Sequence, residues 1–431
     1  MQSDSRQPQQ AATPEGALPA SGRARREAAM PFIIITMLID MIAIGLIIPV
    51  LPLLVGKFTN SPSEQTFWFG VVSFAFGIAN FVASPILGGL SDRFGRRPVL
   101  LIGIAGLATS FWVTGLASAL WVLIAVRVVS GATQANMSVA NAYVADITPP
   151  EERARRFGLL GATFGMGFIL GPVMGGVLGD RDIHLPFFVA GGLAIINWLY
   201  GFFILPESLP QDRRRAFDWK RANPFSALVG LARLQGVGSL VAVIACASLA
   251  QFVLHSSWVL YTTFKFGWGP MQNGLSLFTV GMMSMIVQGF LLKHMLKRFS
   301  ARALAITGLM ASSATYLGFG LASEGWMMFV VIIIGNILGG GAQAVIQSLV
   351  SNAADARTQG QTMGSVSSLN SLMAVIAPVV GASLLTEVSH LPRGHWLIGM
   401  PFYFCAALQA VGTLIAIRHF RRQQALAAAS T

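Results

Sequence analysis

The sequence predicts an all-α membrane protein with twelve transmembrane helices in two pseudo-symmetric six-helix bundles. Its 431 residues are 54% hydrophobic and only 11% charged, with a mean hydropathy of +0.66. A soluble domain carries roughly 25% charged residues. Apolar stretches of about twenty residues recur along the chain, and stretches of that length cross a bilayer as helices. One long charged segment divides them into six and six.

Each predicted span begins and ends where charge, Pro or Gly interrupts an apolar stretch. The spans are 31–54, 67–90, 98–118, 120–145, 157–179, 185–205, 236–262, 271–292, 302–322, 326–350, 362–386 and 396–418. The first bundle thus covers residues 31–205 and the second covers residues 236–418. The first 30 residues are polar and rich in Gln, Pro and Ala, which predicts a disordered cytoplasmic tail and no cleaved signal peptide. Residues 206–235 are predicted as a cytoplasmic linker, and residues 419–431 as a second cytoplasmic tail.

The net charge of +12 reports how the chain is oriented. Of the 29 Lys and Arg residues, Arg127 lies within a span and four lie in loops opposite the N-terminus: Lys57, Arg181, Lys265 and Arg393. The remainder fall on the side of the N-terminus, so the positive-inside rule places both termini in the cytoplasm. Because topology accounts for the basic composition, no nucleic-acid partner is predicted.

No cofactor, metal site or enzymatic centre is predicted. The two cysteines, Cys246 and Cys405, fall within spans, where a thiol behaves as a small apolar group. The six histidines are scattered without the spacing of a zinc site, and no nucleophile–base set is present. The only Gly-Lys pair, Gly56-Lys57, lacks the hydroxyl residue of a phosphate-binding loop. Energy for any transport must therefore come from a gradient.

Residues 88–101 form a dense charged segment between the second and third spans. A bilayer admits such charge only in a tight aqueous turn between two helices, which suggests a moving part. A shift of 205 residues places Asp92–Arg97 over Lys297–Arg302, after the second span of the second half. This repeat predicts an internal duplication, the architecture of secondary transporters, with a substrate site between the halves near the midplane.

The charged turn resembles the cytoplasmic signature of the major facilitator superfamily, specifically of its twelve-span drug:proton antiporters. The matching residues are Gly88, Asp92, Arg93, Gly95, Arg96 and Arg97. In that family these charges form a cluster that latches the outward-facing state, and the resemblance implies the same gating role here. Asp146, at the end of the fourth span, is included in the predicted cluster. The alternative is an ordinary positive-inside turn.

The fifth span resembles the motif that exporters of this family carry. The matching residues are Gly167, Gly171, Pro172, Gly175 and Gly176. Glycine recurs every four residues at Gly167, Gly171 and Gly175, so one helix face is bare backbone on which another helix can pack closely. Pro172 removes a helical donor and permits a bend. The glycines alone fit static close packing equally well, and the exporter reading comes from the resemblance.

Four further segments resemble the bacterial tetracycline-efflux proteins, a branch of the same superfamily: Asp40–Pro52, Ala142–Thr148 with Glu152–Arg155, Leu205–Ser208 and Ser323–Trp326. That branch typically carries a histidine in the eighth span and an aspartate in the ninth. Ser284 and Ser312 occupy those places here. The substrate range and the residue that exchanges the proton therefore stay open.

Asp40 and Arg127 are the predicted proton-coupling residues. A charge near the bilayer centre costs about 3 kcal/mol or more, so each ionisable group in a span needs a partner or a wet cavity. Asp40 falls near the midplane of the first span, and Arg127 resembles the family's fourth-span arginine. The hypothesis is that Asp40 carries the proton and Arg127 tunes it. A fixed structural ion pair is the alternative.

Polar side chains on otherwise apolar helices predict a substrate cavity, because lipid would leave their amides without hydrogen bonds. Some of them serve instead to hold helices together. His255 is added because an imidazole changes charge near neutral pH, and Trp258 because an aromatic ring suits an apolar drug. The candidates are Gln134, Asn136, Asn141, Gln251, His255, Trp258, Gln288, Asn336, Gln343, Gln347 and Asn370.

These patterns together predict a monomeric secondary transporter in the bacterial inner membrane. Its expected function is proton-coupled efflux of tetracycline-like or other amphiphilic drugs by alternating access, with the drug, protons and the lipid bilayer as its partners. Uptake or export of a small metabolite on the same fold is the alternative. The fifth-span glycine series favours export.

Overall fold

The computed structural model describes residues 20–134, 136–149, 152–219, 238–353 and 359–429. Twelve helical segments in these ranges are long and apolar enough to cross a membrane, which confirms the predicted number of spans. The first half contains Ala20–Ile47 with Leu51–Gly56 (first span), Pro62–Phe94 (second), Arg96–Gly115 (third), Leu120–Thr133 with Asn136–Ile147 (fourth), Arg153–Arg181 (fifth) and Leu185–Ile204 (sixth).

The second half repeats this order after a short 3-10 turn at Gln211–Arg213. Its helices are Gly238–Phe266 (seventh span), Pro270–Ile286 with Leu292–Arg298 (eighth), Ala301–Leu321 (ninth), Gly325–Gly339 with Ala342–Ala353 (tenth), Gln359–Val388 (eleventh) and Met400–Ala429 (twelfth). A π-helical turn at Val287–Leu291 joins the two helices of the eighth span, and a 3-10 turn at Trp396–Gly399 precedes the twelfth.

Both terminal helices extend further than the sequence predicts. The first helix begins at Ala20 and the last ends at Ala429, so residues 20–30 and 419–429 are helical instead of belonging to tails. Ala, Arg and Glu are strong helix formers, and a span that has already nucleated propagates into them at little cost. The rest of the two predicted tails lies outside the described residues.

The helix pairing shows that the two halves share one design. In the first half, the first span packs on the fifth and sixth, the second on the fourth, and the third on the sixth. In the second half, the seventh packs on the eleventh and twelfth, the eighth on the tenth, and the ninth on the twelfth. The fourth span breaks after Thr133 and the tenth after Gly339, which agrees with the 205-residue repeat to within one residue.

Two pairs of spans join the halves: the second with the eleventh and the fifth with the eighth. Both junctions depend on small residues. A Cβ atom on Gly70 would lie 2.5 Å from the Cβ of Ala382, and one on Gly274 would lie 2.5 Å from the carbonyl oxygen of Pro172. Real Cβ atoms do not approach other atoms so closely, so glycine at these positions lets the helix backbones touch.

The molecule has two unlike ends. The basic end carries residues 91–97, 146–149, 152–156, 206–219 and 293–302. The opposite end carries the turns 57–61, 116–119, 182–184, 267–269, 322–324 and 389–395. At the opposite end the halves are joined: Ser63 Oγ and Ser389 Oγ lie 2.9 Å apart.

Towards the basic end the halves diverge. Ile169 on the fifth span contacts the eighth span, but a Cβ on Gly165 or Gly158, further along that face, would meet nothing within 4 Å. On the second span, a Cβ on Gly77 would lie 3.4 Å from Val375 of the eleventh span, whereas a Cβ on Gly88 would meet nothing within 4 Å. The space between the halves therefore opens towards the basic end.

Candidate functional site

Arg96 is the centre of the charged turn that the sequence singled out. Its guanidinium lies 2.6 Å from Asp92 and 3.1 Å from Asp146, and it donates a further hydrogen bond to Ser91 Oγ at 2.5 Å. Arg96 is buried, whereas Asp92 is half exposed. The second, third and fourth spans are thus tied together by one side chain, and the predicted Asp92–Arg96–Asp146 group lies together as expected.

Glu207, which was not among the predicted site residues, caps this cluster. Its Oε1 accepts the backbone N–H of Arg96 at 2.8 Å, and its Oε2 accepts that of Arg97 at 3.3 Å. A carboxylate suits the N-terminus of a helix, where free N–H groups and the helix dipole favour negative charge. Gly95 makes the approach possible, since its φ is +105° and a Cβ there would lie 2.3 Å from Glu207 Oε2.

The start of the predicted linker folds back onto the same turn. The backbone N–H of Arg215 donates to the carbonyl oxygen of Asp92 at 3.1 Å. The ring of Phe217 covers Gly89, where a Cβ would lie 2.8 Å from the ring. Residues 206–219 therefore belong to the first half, and residues 220–237 lie outside the described residues.

The other two arginines of the turn do not join the ion-pair cluster. Arg97 donates to the carbonyl oxygen of Phe202 at 2.6 Å, and the Arg93 guanidinium lies 5.1 Å from the ring centre of Phe94. The equivalent turn of the second half, 297–302, is still simpler: within the described residues it forms no ion pair, and Ser300 caps the next helix by accepting from the Ala303 N–H.

The fifth-span motif contacts a different helix on each of two faces. Gly167, Gly171 and Gly175 pack on the first span, where a Cβ on Gly171 would lie 2.6 Å from the Cα of Gly45. Gly176 faces the eighth span, where a Cβ on it would lie 2.8 Å from the carbonyl oxygen of Pro270. Pro172 contacts both spans, since its ring lies against Gly45 and its carbonyl oxygen against Gly274. The motif therefore binds a helix of its own half and a helix of the other half.

Two adjoining cavities of about 200 and about 360 Å³ lie between the halves. They share Leu51, Phe76 and Arg127. The smaller is lined mainly by apolar side chains: Ile44, Ile47, Ile48, Leu51, Pro52, Phe69, Phe76, Leu107, Phe111, Arg127, Ser130, Gln134, His255, Ser256 and Val259. The larger is more polar: Leu51, Ser73, Phe76, Gly77, Asn80, Phe81, Arg127, Phe252, Ser367, Asn370, Ser371, Ala374 and Pro378.

Arg127 stands where the two cavities meet. It is only 6% exposed, and its Nε is buried without a hydrogen-bond partner among the described residues. Close packing one turn away holds it in place: a Cβ on Gly131 would lie 2.3 Å from the carbonyl oxygen of Phe76, and Asn80 Nδ2 donates to the Gly131 carbonyl at 3.3 Å. The fourth span is thereby fixed against the second with its arginine directed at the cavity.

Asp40 lies beside the cavity and not in its lining. It is 1% exposed on the first span, one helical turn from Ile44, which lines the smaller cavity. Asp40 and Arg127 therefore lie beside the same cavity, one on the first span and the other on the fourth.

His255 approaches the cavity from the second half. Its Nε2 lies 2.9 Å from Gln251 Nε2, and Tyr316 donates to Gln251 Oε1 at 3.3 Å. The His255 ring lies 6.4 Å from that of Phe168 on the fifth span. This small polar network therefore meets the first half across the central space.

Of the remaining cavity candidates, some line a cavity and others lie elsewhere. Gln134 lines the smaller cavity and Asn370 the larger. Trp258 is 4% exposed in the core of the second half, where its Nε1 donates to Ser276 at 3.0 Å. Asn336 joins the tenth span to the eighth by accepting from Ser284 Oγ at 3.2 Å.

Neither cavity is lined by Asn141, Gln288 or Gln347, all exposed. The side chains of Asn136 and Gln343 lie outside the described residues. Sequence reasoning did not select Ser73 and Asn80, although both lie on the second span and line the larger cavity. Their polar character in an apolar helix is the same signal that selected Gln134.

Comparisons with known proteins agree with this architecture. The chain matches the family model described as Major Facilitator Superfamily over residues 33–378 and 240–430. It is 35% identical to the tetracycline resistance protein, class C, of Escherichia coli, an alignment that covers 85% of this chain and 92% of the relative. The class D protein of Salmonella ordonez is 33% identical, with 91% and 97% covered.

Two solved structures share the fold. The nucleoside transporter NupG has a TM-score of 0.73 at 11% identity, over 91% of this chain and 99% of that one. A bacterial homolog to the human lysosomal transporter Spinster, in an inward-facing and occupied conformation, has a TM-score of 0.71 at 14% identity, over 92% and 97%. The chain belongs to the Major Facilitator Superfamily, in the branch of the tetracycline resistance proteins.

Proposed function

We propose that this protein exports tetracycline-like or other amphiphilic drugs across the bacterial inner membrane in exchange for protons. The observation that carries the proposal is a cavity between two similar halves. A buried arginine lies in its wall, and a buried aspartate lies one helical turn behind that wall on the first span. The chain is also 35% identical to a tetracycline resistance protein. Such a site suits alternating access around a substrate held near the midplane.

The basic end faces the cytoplasm in this proposal, because the cations cluster there. The cavity of this structure is then open to the cytoplasm and closed at the opposite end by Ser63 and Ser389. A drug enters from the cytoplasm or the inner leaflet. Rocking at the junctions of the second with the eleventh span and of the fifth with the eighth then exposes it on the other side.

Asp40 is the proposed proton carrier. It is buried within one helical turn of the cavity wall, so hydration of the cavity in one conformation can bring protons to it. Arg127 supplies a fixed positive charge in the same region, which makes Asp40 sensitive to what the cavity contains. Uptake of the proton and release of the drug are thereby linked.

The Asp92–Arg96–Asp146 cluster is the proposed gating element. It ties the second, third and fourth spans into one unit, and Glu207 ties the end of the sixth span to the same unit. We expect the first half, residues 31–205, to move with residues 206–219 as a rigid body against the second, residues 236–418. A single chain contains both halves of the cavity, so a monomer suffices for transport.

Inverted membrane vesicles test the proposal. A proton gradient, acid inside, should drive uptake of radiolabelled tetracycline or of another amphiphilic drug, and a protonophore should abolish it. Asp40→Asn should remove this gradient-driven accumulation and leave the protein folded. Full accumulation by that variant would show that another group carries the proton, and accumulation in the opposite direction would contradict export itself.

A further inference from the structure

The described lining of the two cavities carries basic groups and no acidic one. It contains one arginine and one histidine, together with amides, hydroxyl groups and apolar side chains, and no carboxylate. Asp40 is buried one helical turn from Ile44 of the smaller cavity and lies outside the lining. A cationic ligand would therefore meet no acceptor of opposite charge on the described wall.

Arg127 is the residue that requires an explanation. A guanidinium carries five N–H donors and stays charged at any physiological pH. At 6% exposure it forms no ion pair, and its Nε has no hydrogen-bond partner within the described residues. Leaving a buried charge without a partner is strongly unfavourable, so a ligand that supplies the partner would stabilise Arg127.

We propose that the substrate is an amphiphilic organic anion whose negatively charged group binds Arg127. This inference rests on the proposed export function and specifies its substrate class. A carboxylate or sulfonate matches the planar donor fork of arginine with two parallel hydrogen bonds. The binding site is then complete only when the anion is present.

The walls around Arg127 fit the two parts of such a molecule. Phe69, Phe76 and Phe111 line the smaller cavity and provide aromatic surface for an apolar body. Ser73 and Asn80 line the larger cavity and supply polar groups near the same arginine. The larger cavity, about 360 Å³, lies within the roughly 300–1,000 Å³ that small-molecule sites occupy.

Ser284 and Ser312, both in the second half, are uncharged and so provide no negative group for a cation. Ser284 Oγ donates to Asn336 Oδ1 at 3.2 Å, and Ser312 Oγ donates to the Gly308 carbonyl at 2.9 Å. Both hydroxyl groups are thus engaged within the helix bundle. The preference of the site is therefore set by Arg127.

Calorimetric binding to the purified full-length protein tests the inference with three ligands that share one apolar body. They are naphthaleneacetate, its neutral amide and naphthylethylamine, which is cationic. The acid should bind about ten- to a hundredfold more tightly than the amide, since charge-assisted hydrogen bonds have that strength. The amine should bind no better than the amide.

The variant Arg127→Gln should weaken binding of the acid to the level of the amide and leave binding of the amide unchanged. Arg127→Lys, which keeps the charge, should retain part of the preference. Arg181→Gln, at an exposed position of the opposite end, removes one positive charge elsewhere and should change nothing. If Arg127→Gln does not fold, the comparison of the three ligands on the natural protein decides.

Equal binding of acid and amide, no measurable binding of the acid, or tighter binding of the amine would overturn the inference. These outcomes are independent of the proposed export. Vesicles that accumulate drugs without any preference for anions would keep the export function and refute the substrate class. Anion-selective binding in a protein that accumulates nothing would do the reverse.

Discussion

Glu207 caps the helix that begins at Arg96, because its Oε1 accepts the Arg96 N–H at 2.8 Å. The two residues are 111 positions apart in the sequence. The same oxygen accepts the N–H groups of Ser208 at 3.0 Å and Leu209 at 3.1 Å. One carboxylate therefore organises both the start of the third span and the segment after the sixth.

Replacing Glu207 by Ala should destabilise the protein by about 1 kcal/mol, the usual worth of a helix N-cap. Part of the loss should persist in Glu207→Gln, which keeps an acceptor and removes the charge. Thermal unfolding of the purified protein measures the effect. Asp212→Ala changes an exposed carboxylate of the same segment and serves as the control; an equal effect there would remove the capping explanation.

Replacing Asp92 by Asn should slow drug transport about tenfold, because the 2.6 Å ion pair with Arg96 loses its charge while the side chain keeps its shape. Lys297→Gln, at the equivalent position of the second half, should have little effect, since Lys297 is exposed and forms no ion pair within the described residues. Initial transport rates in vesicles measure both. Similar losses in the two variants would mean that the halves carry equivalent gates.

Gly171→Ala should destabilise the fold by about 1–3 kcal/mol, the cost of overpacking a close contact. The new Cβ would lie 2.6 Å from the Cα of Gly45, which cannot move away without shifting the first span. Gly165→Ala on the same helix meets nothing within 4 Å and is the matched control. Unfolding temperatures of the two variants decide whether the glycine series packs as described.

The double variant Ser63→Cys with Ser389→Cys should form a disulfide, because the two serine oxygens lie 2.9 Å apart. The bond would hold the opposite end closed and stop transport, and a reductant should restore it. Each single cysteine variant provides the control. Full transport by the oxidised double variant would contradict alternating access through this end.

Binding of naphthaleneacetate separates a locked transporter from an unfolded one. The disulfide-linked protein should bind the acid as tightly as the reduced one, since the cavity opens at the basic end. Loss of binding on oxidation would indicate that the disulfide distorts the site.

The number of spans followed from hydropathy because a bilayer imposes the same length on every helix. Arg127, Gln134 and Asn370 were found for a related reason: a polar group in an apolar helix is costly unless a cavity receives it. Trp258 was placed wrongly in the cavity, since an aromatic side chain suits a packed core as well as an apolar site.

Glu207 escaped prediction because its role depends on backbone N–H groups that are distant in sequence. A side chain that caps a remote helix leaves no periodic signal, and only folding brings residues 96 and 207 together. The conformation of the cavity was equally out of reach. Whether Gly165 meets the eighth span depends on the angle between two halves, and local sequence does not encode that angle.

Because residues 206–219 fold back onto the charged turn, the linker between the halves is shorter than the sequence predicts. The sequence predicts a cytoplasmic linker of thirty residues, 206–235, between the halves. With Phe217 covering Gly89 and Arg215 bonded to Asp92, the first part of that linker travels with the first half. The described stretch 206–219 therefore adds no length that can change between the halves during transport.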